Sequence, residues 1–139
     1  MFLDLALLND DAKLDIVASI RPDRTHVIYQ PEAPLTLWKD SADLDAMDPE
    51  IFGSAKAVRV GLIDDDQIPD FVITCEQAKG KLKGVLFSNV FSEFEPVSDS
   101  EGVKFDRIEL LDLDDDGDLD IITCEEKTGL GVIWFENPL

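Results

Sequence analysis

The stretch "DLDDDGDLDIITCEE", Asp112 to Glu126, crowds carboxylates around one glycine and then runs straight into β-branched residues. Neighbouring carboxylates repel, and each resists ionisation beside the others, so such a cluster is unfavourable unless solvent spreads it or a cation neutralises it. The spacing separates the two cases. Asp112, Asp114, Asp116 and Asp120 occupy positions 1, 3, 5 and 9 of a loop, with Gly117 at position 6, where a tight turn takes a left-handed residue at little steric cost. With the backbone carbonyl of Asp118 at position 7, the loop offers a set of hard oxygen donors that suits Ca²⁺ better than Mg²⁺. The competing reading is a solvated acidic hairpin.

An EF-hand starts in the same way, but it needs a bidentate Glu at position 12 and two flanking helices. Position 12 here is Thr123, and the flanks "RIELL" and "IITC" are short apolar and β-branched runs of strand length. The loop therefore joins two strands.

The chain has 139 residues, 45% of them hydrophobic, which is enough for one modest core. Its 31 Asp and Glu against 12 Lys and Arg give a formal net charge of −19, which repels phosphate backbones and anionic lipid. Nucleic acid is excluded as a natural partner, and no apolar run reaches the ~20 residues of a membrane-spanning helix. The amino terminus, "MFLDLALLND", carries neither a basic leader nor a cleavage site.

The loop recurs. "LLNDDAKLDIVAS" (Leu7 to Ser19), "LIDDDQIPDFVIT" (Leu62 to Thr74) and "DLDDDGDLDIITC" (Asp112 to Cys124) bring Asp15, Asp70 and Asp120 into register, 55 and then 50 residues apart. A period near fifty is that of a β-propeller blade. Each loop is followed by a second apolar element, "HVIYQPEAP", "GVLFSNV" and "GVIWFENPL", without polar alternation, which predicts strands covered on both faces. The polar segments "LTLWKDSADL" and "SEFEPVSDS" supply an outer strand to the first two copies, while the third stops at Leu139 after its third strand. The expected fold is all-β, with three antiparallel blades as repeats at about 2–54, 55–101 and 102–139, and a short turn in "DSADLDAMDPEIFG". Three blades do not close a ring, so the chain reads as the carboxy-terminal part of a larger propeller of about seven blades, or as a unit that self-associates.

These residues resemble the FG-GAP/VCBS repeats, propeller blades whose loops read DxDxDGxxD. "DLDDDGDLDIIT" followed by "GVIWFENP" carries the resemblance fully, and the other two copies carry it in part. What it implies is a calcium-clipped, extracellular or periplasmic module that binds glycan or protein ligands or serves as a scaffold, without catalysis of its own. The alternative is a fragment of a carbohydrate-active propeller enzyme whose active site lies partly in other blades. In the second copy Leu62 and Gln67 replace the first Asp and the glycine, leaving Asp64, Asp66 and Asp70 as a weaker site. In the first, Leu7 and Ala12 do so, leaving Asn9, Asp11 and Asp15 as a vestige. A left-handed non-glycine residue costs on the order of 1 kcal/mol, so both loops are expected to change shape as well as charge.

Cys75 and Cys124 sit in two copies of "TCE" and are expected to be buried free thiols at equivalent places on separate sheets, too far apart for a disulfide. His26 reads as a strand-edge residue. Trp134 and Phe135 read as core, Trp38 as an exposed aromatic able to stack on a sugar, and Lys79, Lys81 and Lys83 as a solvated basic tip. No nucleophile elbow, phosphate loop or His–Cys metal cluster is present.

Overall fold

The computed structural model describes residues 2–20, 24–30, 39–43, 48, 50–81, 84–89, 94–99 and 101–138. Among them there is no helix. Eleven strands run in chain order as β1 (Leu3–Ala6), β2 (Asp15–Ile20), β3 (Arg24–Tyr29), β4 (Lys39–Asp43), β5 (Ser54–Gly61), β6 (Asp70–Glu76), β7 (Val85–Asn89), β8 (Glu95–Pro96), β9 (Phe105–Leu111), β10 (Asp120–Glu125) and β11 (Gly131–Phe135). They form three antiparallel meanders, β1-β2-β3-β4, β5-β6-β7-β8 and β9-β10-β11.

Each acidic loop joins the first strand of a sheet to its second, so Asp15, Asp70 and Asp120 each open the second strand of their own sheet. Pairing registers agree with that alignment: Leu5↔Ile16, Val60↔Phe71 and Leu110↔Ile121 are the same pair in the three sheets.

The sheets stack in chain order, with β5 against β1 and β2, and β9 against β5 and β6. Because side chains alternate across a strand, odd and even places after the opening Asp face opposite neighbours. Phe71, Ile73 and Cys75 turn toward the first sheet and join Val17, Ala55 and Val58 in one cluster. Val72 turns the other way and joins Ala57, Val85, Phe105, Ile108 and Ile121 in a second cluster. The Thr74 hydroxyl, on that same side, donates to the Asp106 carbonyl of the third sheet at 3.0 Å. β6 is thus covered on both faces and buried at every residue.

Two expectations about strand burial are corrected. The strand sandwiched on both faces is β6, the second strand of the middle sheet; β11, the third strand of its sheet, alternates instead, with Val132 and Trp134 exposed, so Trp134 is not core. Among the described residues no strand packs over that face of the third sheet. The cysteines are free, but "TCE" sits one place closer to the opening Asp in β10 than in β6. Cys75 therefore faces the first sheet, where burial pushes its thiol up to about 12. Cys124 turns to the opposite side and is only half-buried.

Trp38, Lys83, and the side chains of His26 and of the outer strand β4 lie outside the described residues. Of the turn foreseen within 40–53, the described part is a turn in which the Ile51 and Phe52 N–H groups donate to the Asp48 carbonyl at 2.9 and 3.0 Å.

Candidate metal centre

The loop Asp112–Leu119 is organised by its own carboxylates. Asp112 accepts the N–H groups of Asp116 and Gly117, both at 3.1 Å, and Asp116 accepts that of Asp118 at 3.3 Å. Gly117 has φ 107° and Asp115 φ 66°, so two left-handed residues fold the loop back on itself. The fold brings Asp112, Asp114 and Asp116 together, with one carboxylate oxygen from each lying within 4.8 Å of the others. Oxygens bound about 2.4 Å from a common Ca²⁺ lie at most about 4.8 Å apart, so this spacing is compatible with a shared ion. Burial raises the Asp114 carboxyl, and the charges of Asp116 and Asp120 raise it further.

Asp118 adds a second sign of an incomplete charge environment. Both its carboxylate oxygens are buried without a hydrogen-bond partner. Burial, then the charges of Asp116, Asp120, Asp114 and Asp112, push its carboxyl up. A buried carboxylate without a donor is costly, and a cation among these five residues removes the cost. The donor chemistry fits a hard divalent ion.

Asp120 has a different task. It is buried at the start of β10, and its two oxygens accept N–H groups from opposite sides, Leu113 in the loop and Asn137 beyond β11, each at 2.9 Å. The Asn137 bond is the largest cause of the lowered Asp120 pKa. Asp15 repeats the arrangement with Leu8 at 3.3 Å and Gln30 at 2.9 Å. Asp70 accepts Ile63 at 2.8 Å and Asp64 at 3.3 Å on one oxygen, while the other has no partner among the described residues. In each sheet this Asp pins the acidic loop to the strand beneath it.

The other two loops keep the left-handed residue at position 6 but lack the second one of the third loop, Asp115, and the position-1 carboxylate that gathers its backbone, so the expected change of shape holds in part. Ala12 (φ 58°) and Gln67 (φ 62°) adopt the left-handed conformation of Gly117. The same side-chain turns recur, with Asn9 accepting from Asp11 and Asp64 from Asp66, both at 2.9 Å, then Asp11 from Lys13 at 3.0 Å and Asp66 from Ile68 at 2.7 Å. These bonds hold the turn well enough to carry the strain of a Cβ. Charge differs too. The first loop places the Lys13 ammonium 3.7 Å from Asp11, a cation of its own.

Beside the second and third loops a cavity of about 280 Å³ opens between the second and third sheets, with Ile63, Val97, Leu119 and Phe135 on its walls and Asp64, Glu95 and Glu136 at its rim.

Sequence reasoning missed Glu125. Buried at the end of β10, it accepts the backbone N–H groups of Val103, Lys104, Lys127, Thr128, Gly129 and Leu130 together with the Thr128 hydroxyl. Burial alone would raise its pKa, but the bonds from Thr128, Val103 and Lys104 outweigh that and hold it at about 2. It is a structural hub that fixes the turn into β11. The one signal available was a Glu directly after a buried strand.

No protein-family model, no curated protein and no solved structure matches the chain.

Proposed function

We propose that this chain is a calcium-stabilised β-propeller repeat module of the FG-GAP/VCBS kind, working outside the cell as a recognition or scaffold surface for a glycan or protein rather than as an enzyme. The observation that carries the reading is the convergence of Asp112, Asp114 and Asp116 oxygens within 4.8 Å, in a loop pinned to its strand by Asp120. Asp112, Asp114 and Asp116 hold the ion, with the carbonyl of Asp118 completing the set. Bound Ca²⁺ turns mutual repulsion into coordination and ties the first two strands of the sheet together.

On this reading the three loops are graded. The second, with Asp64 and Asp66 but Leu62 at the first ligand position, binds weakly. The first keeps its shape with Lys13 standing in for the metal. The cavity between the second and third sheets, apolar inside and acidic at the rim, is where a ligand with a cationic or hydroxyl-rich edge would dock.

Calorimetric titration tests the reading: Ca²⁺ binds with one dominant site and Mg²⁺ competes poorly. Absence of heat at millimolar Ca²⁺ would return the loop to a solvated acidic hairpin.

A further inference from the structure

The two stacking joints inside the chain are copies of one another, and both halves of that joint are left open at its ends. Toward the preceding sheet, the second sheet presents Val58 and Phe71 and the third presents Ile108 and Ile121, all buried. The same places in the first sheet are Leu3 and Ile16, and Leu3 is 56% exposed where its counterpart Val58 is 0%. Toward the following sheet, the second presents Val72 and Val85. The counterparts in the third are Ile122 and Val132, and Val132 is 79% exposed where Val85 is 0%.

Local detail repeats the contrast. Gly84 is covered by the Phe105 ring of the third sheet so closely that a Cβ there would lie 2.0 Å from it. At Gly131, which opens β11 as Gly84 leads into β7, a Cβ would meet nothing within 4 Å.

A polar fastening is duplicated too. Asn137, held by Asp120, reaches back with its side-chain amide to the Ile63 carbonyl of the second sheet at 2.7 Å. Gln30, held by Asp15 in the same manner at 2.9 Å, is the equivalent residue of the first sheet. The carbonyl equivalent to that of Ile63 in the third sheet is that of Leu113.

We propose that two copies of this chain associate head to tail, the free face of each third sheet seating on the free face of the other's first sheet, to close a six-bladed ring. The proposal rests on reading the three sheets as successive blades. Two identical joints related by a two-fold axis satisfy all four open faces, and six lies inside the four to eight blades over which such rings close. Each new joint would bury Leu3, Leu5 and Ile16 of one copy against Ile122, Val132 and Trp134 of the other, with Gln30 of one meeting Leu113 of the other.

Sedimentation and light scattering at about 0.15 M salt, where the charge is screened beyond about 8 Å, read the result. The chain sediments as twice 15.5 kDa. Leu3→Lys and Val132→Lys, each on an exposed side chain, give folded monomers by circular dichroism, with dimer affinity reduced at least about a hundredfold. Mixing the two variants restores dimer, because one of the two joints in the mixed pair has both faces intact. A wild-type monomer, an open-ended polymer, or a mixture that stays monomeric would each overturn the ring. Calcium titration of the same samples keeps the two readings apart: a monomer that binds Ca²⁺ refutes the ring and leaves the metal module standing.

Discussion

The second and third sheets share one plan, yet their key carboxylates are held by different means. At the far end of the second strand, Glu76 is met by the Lys56 ammonium at 3.2 Å, which also reaches Asp106 at 3.1 Å. Glu125, one place nearer the opening Asp in the third sheet, is met by six backbone N–H groups and a hydroxyl. At the near end, Asp120 accepts from two sides and its pKa falls. Asp70, whose second oxygen has no partner among the described residues, is raised by burial ahead of every other cause. The lesson is that a buried carboxylate can be neutralised by different partners at different places in the fold. A long, flexible Lys does the work in one sheet, and fixed peptide dipoles do it in the next.

The widest gap between the two sheets is expected at the glutamates. Glu125→Ala strands several buried donors and should cost about 3 kcal/mol in urea unfolding, whereas Glu76→Ala leaves Lys56 paired with Asp106 and should cost about 1 kcal/mol. Equal losses would show that backbone and ammonium partners are equivalent here. The same contrast has a pH signature. Glu125 is depressed to about 2 from 4.5, so its contribution is complete above pH 4.5 and drains away as the pH falls toward 2. Glu125→Gln should flatten the stability profile across that window.

Next in size is calcium. A hundredfold excess over Kd stabilises the folded chain by about 2.7 kcal/mol, so chelation should lower the melting temperature by several degrees. Asp114→Ala should remove most of that shift and Asp64→Ala little of it. A shift that survives Asp114→Ala would move the metal out of the third loop.

Smaller still is the turn. Gln67→Gly relieves a left-handed side chain and should stabilise by about 1 kcal/mol, while Gly117→Ala should destabilise by a similar amount; thermal melts in chelator isolate both from metal binding.

The smallest effect belongs to Asp70. Its raised pKa means a contribution that is complete below pH 3.8 and lost as the pH rises. Asp70→Asn should therefore gain about 0.5 kcal/mol at pH 7 and nothing at pH 3. A loss at pH 7 would indicate that the charge of Asp70 is needed.

The sequence pattern carried the repetition, the all-β class and the place of the acidic loop between two strands, because all three are written in local spacing. It misassigned what lies across chain distance. The donors to Asp120 come from Leu113 and Asn137, 7 and 17 residues away, so spacing that fits a metal loop also fits a backbone clamp. Trp134 sits in an apolar run yet faces outward, since a run of apolar residues records the wish for cover without saying whether a neighbour supplies it. Ala12 and Gln67 looked like broken turns because glycine is the easy left-handed residue; the Asx bonds around them, invisible to propensity, carry the strain instead.

One feature of β11 has nothing to do with its faces. In the first two sheets the third strand is hemmed by a fourth, whereas along β11 no strand pairs with the outer edge among the described residues. Such an edge is a template for any extended segment, and proteins commonly guard it with lysine, proline or a bulge. Gly131–Phe135 contains none of the three in its pairing with β10. The guard is collective: a net charge of −19 opposes pairing along this edge, to an extent that depends on ionic strength. Salt, or acid that titrates the carboxylates, weakens that guard, and loss of solubility under either is the outcome to expect first.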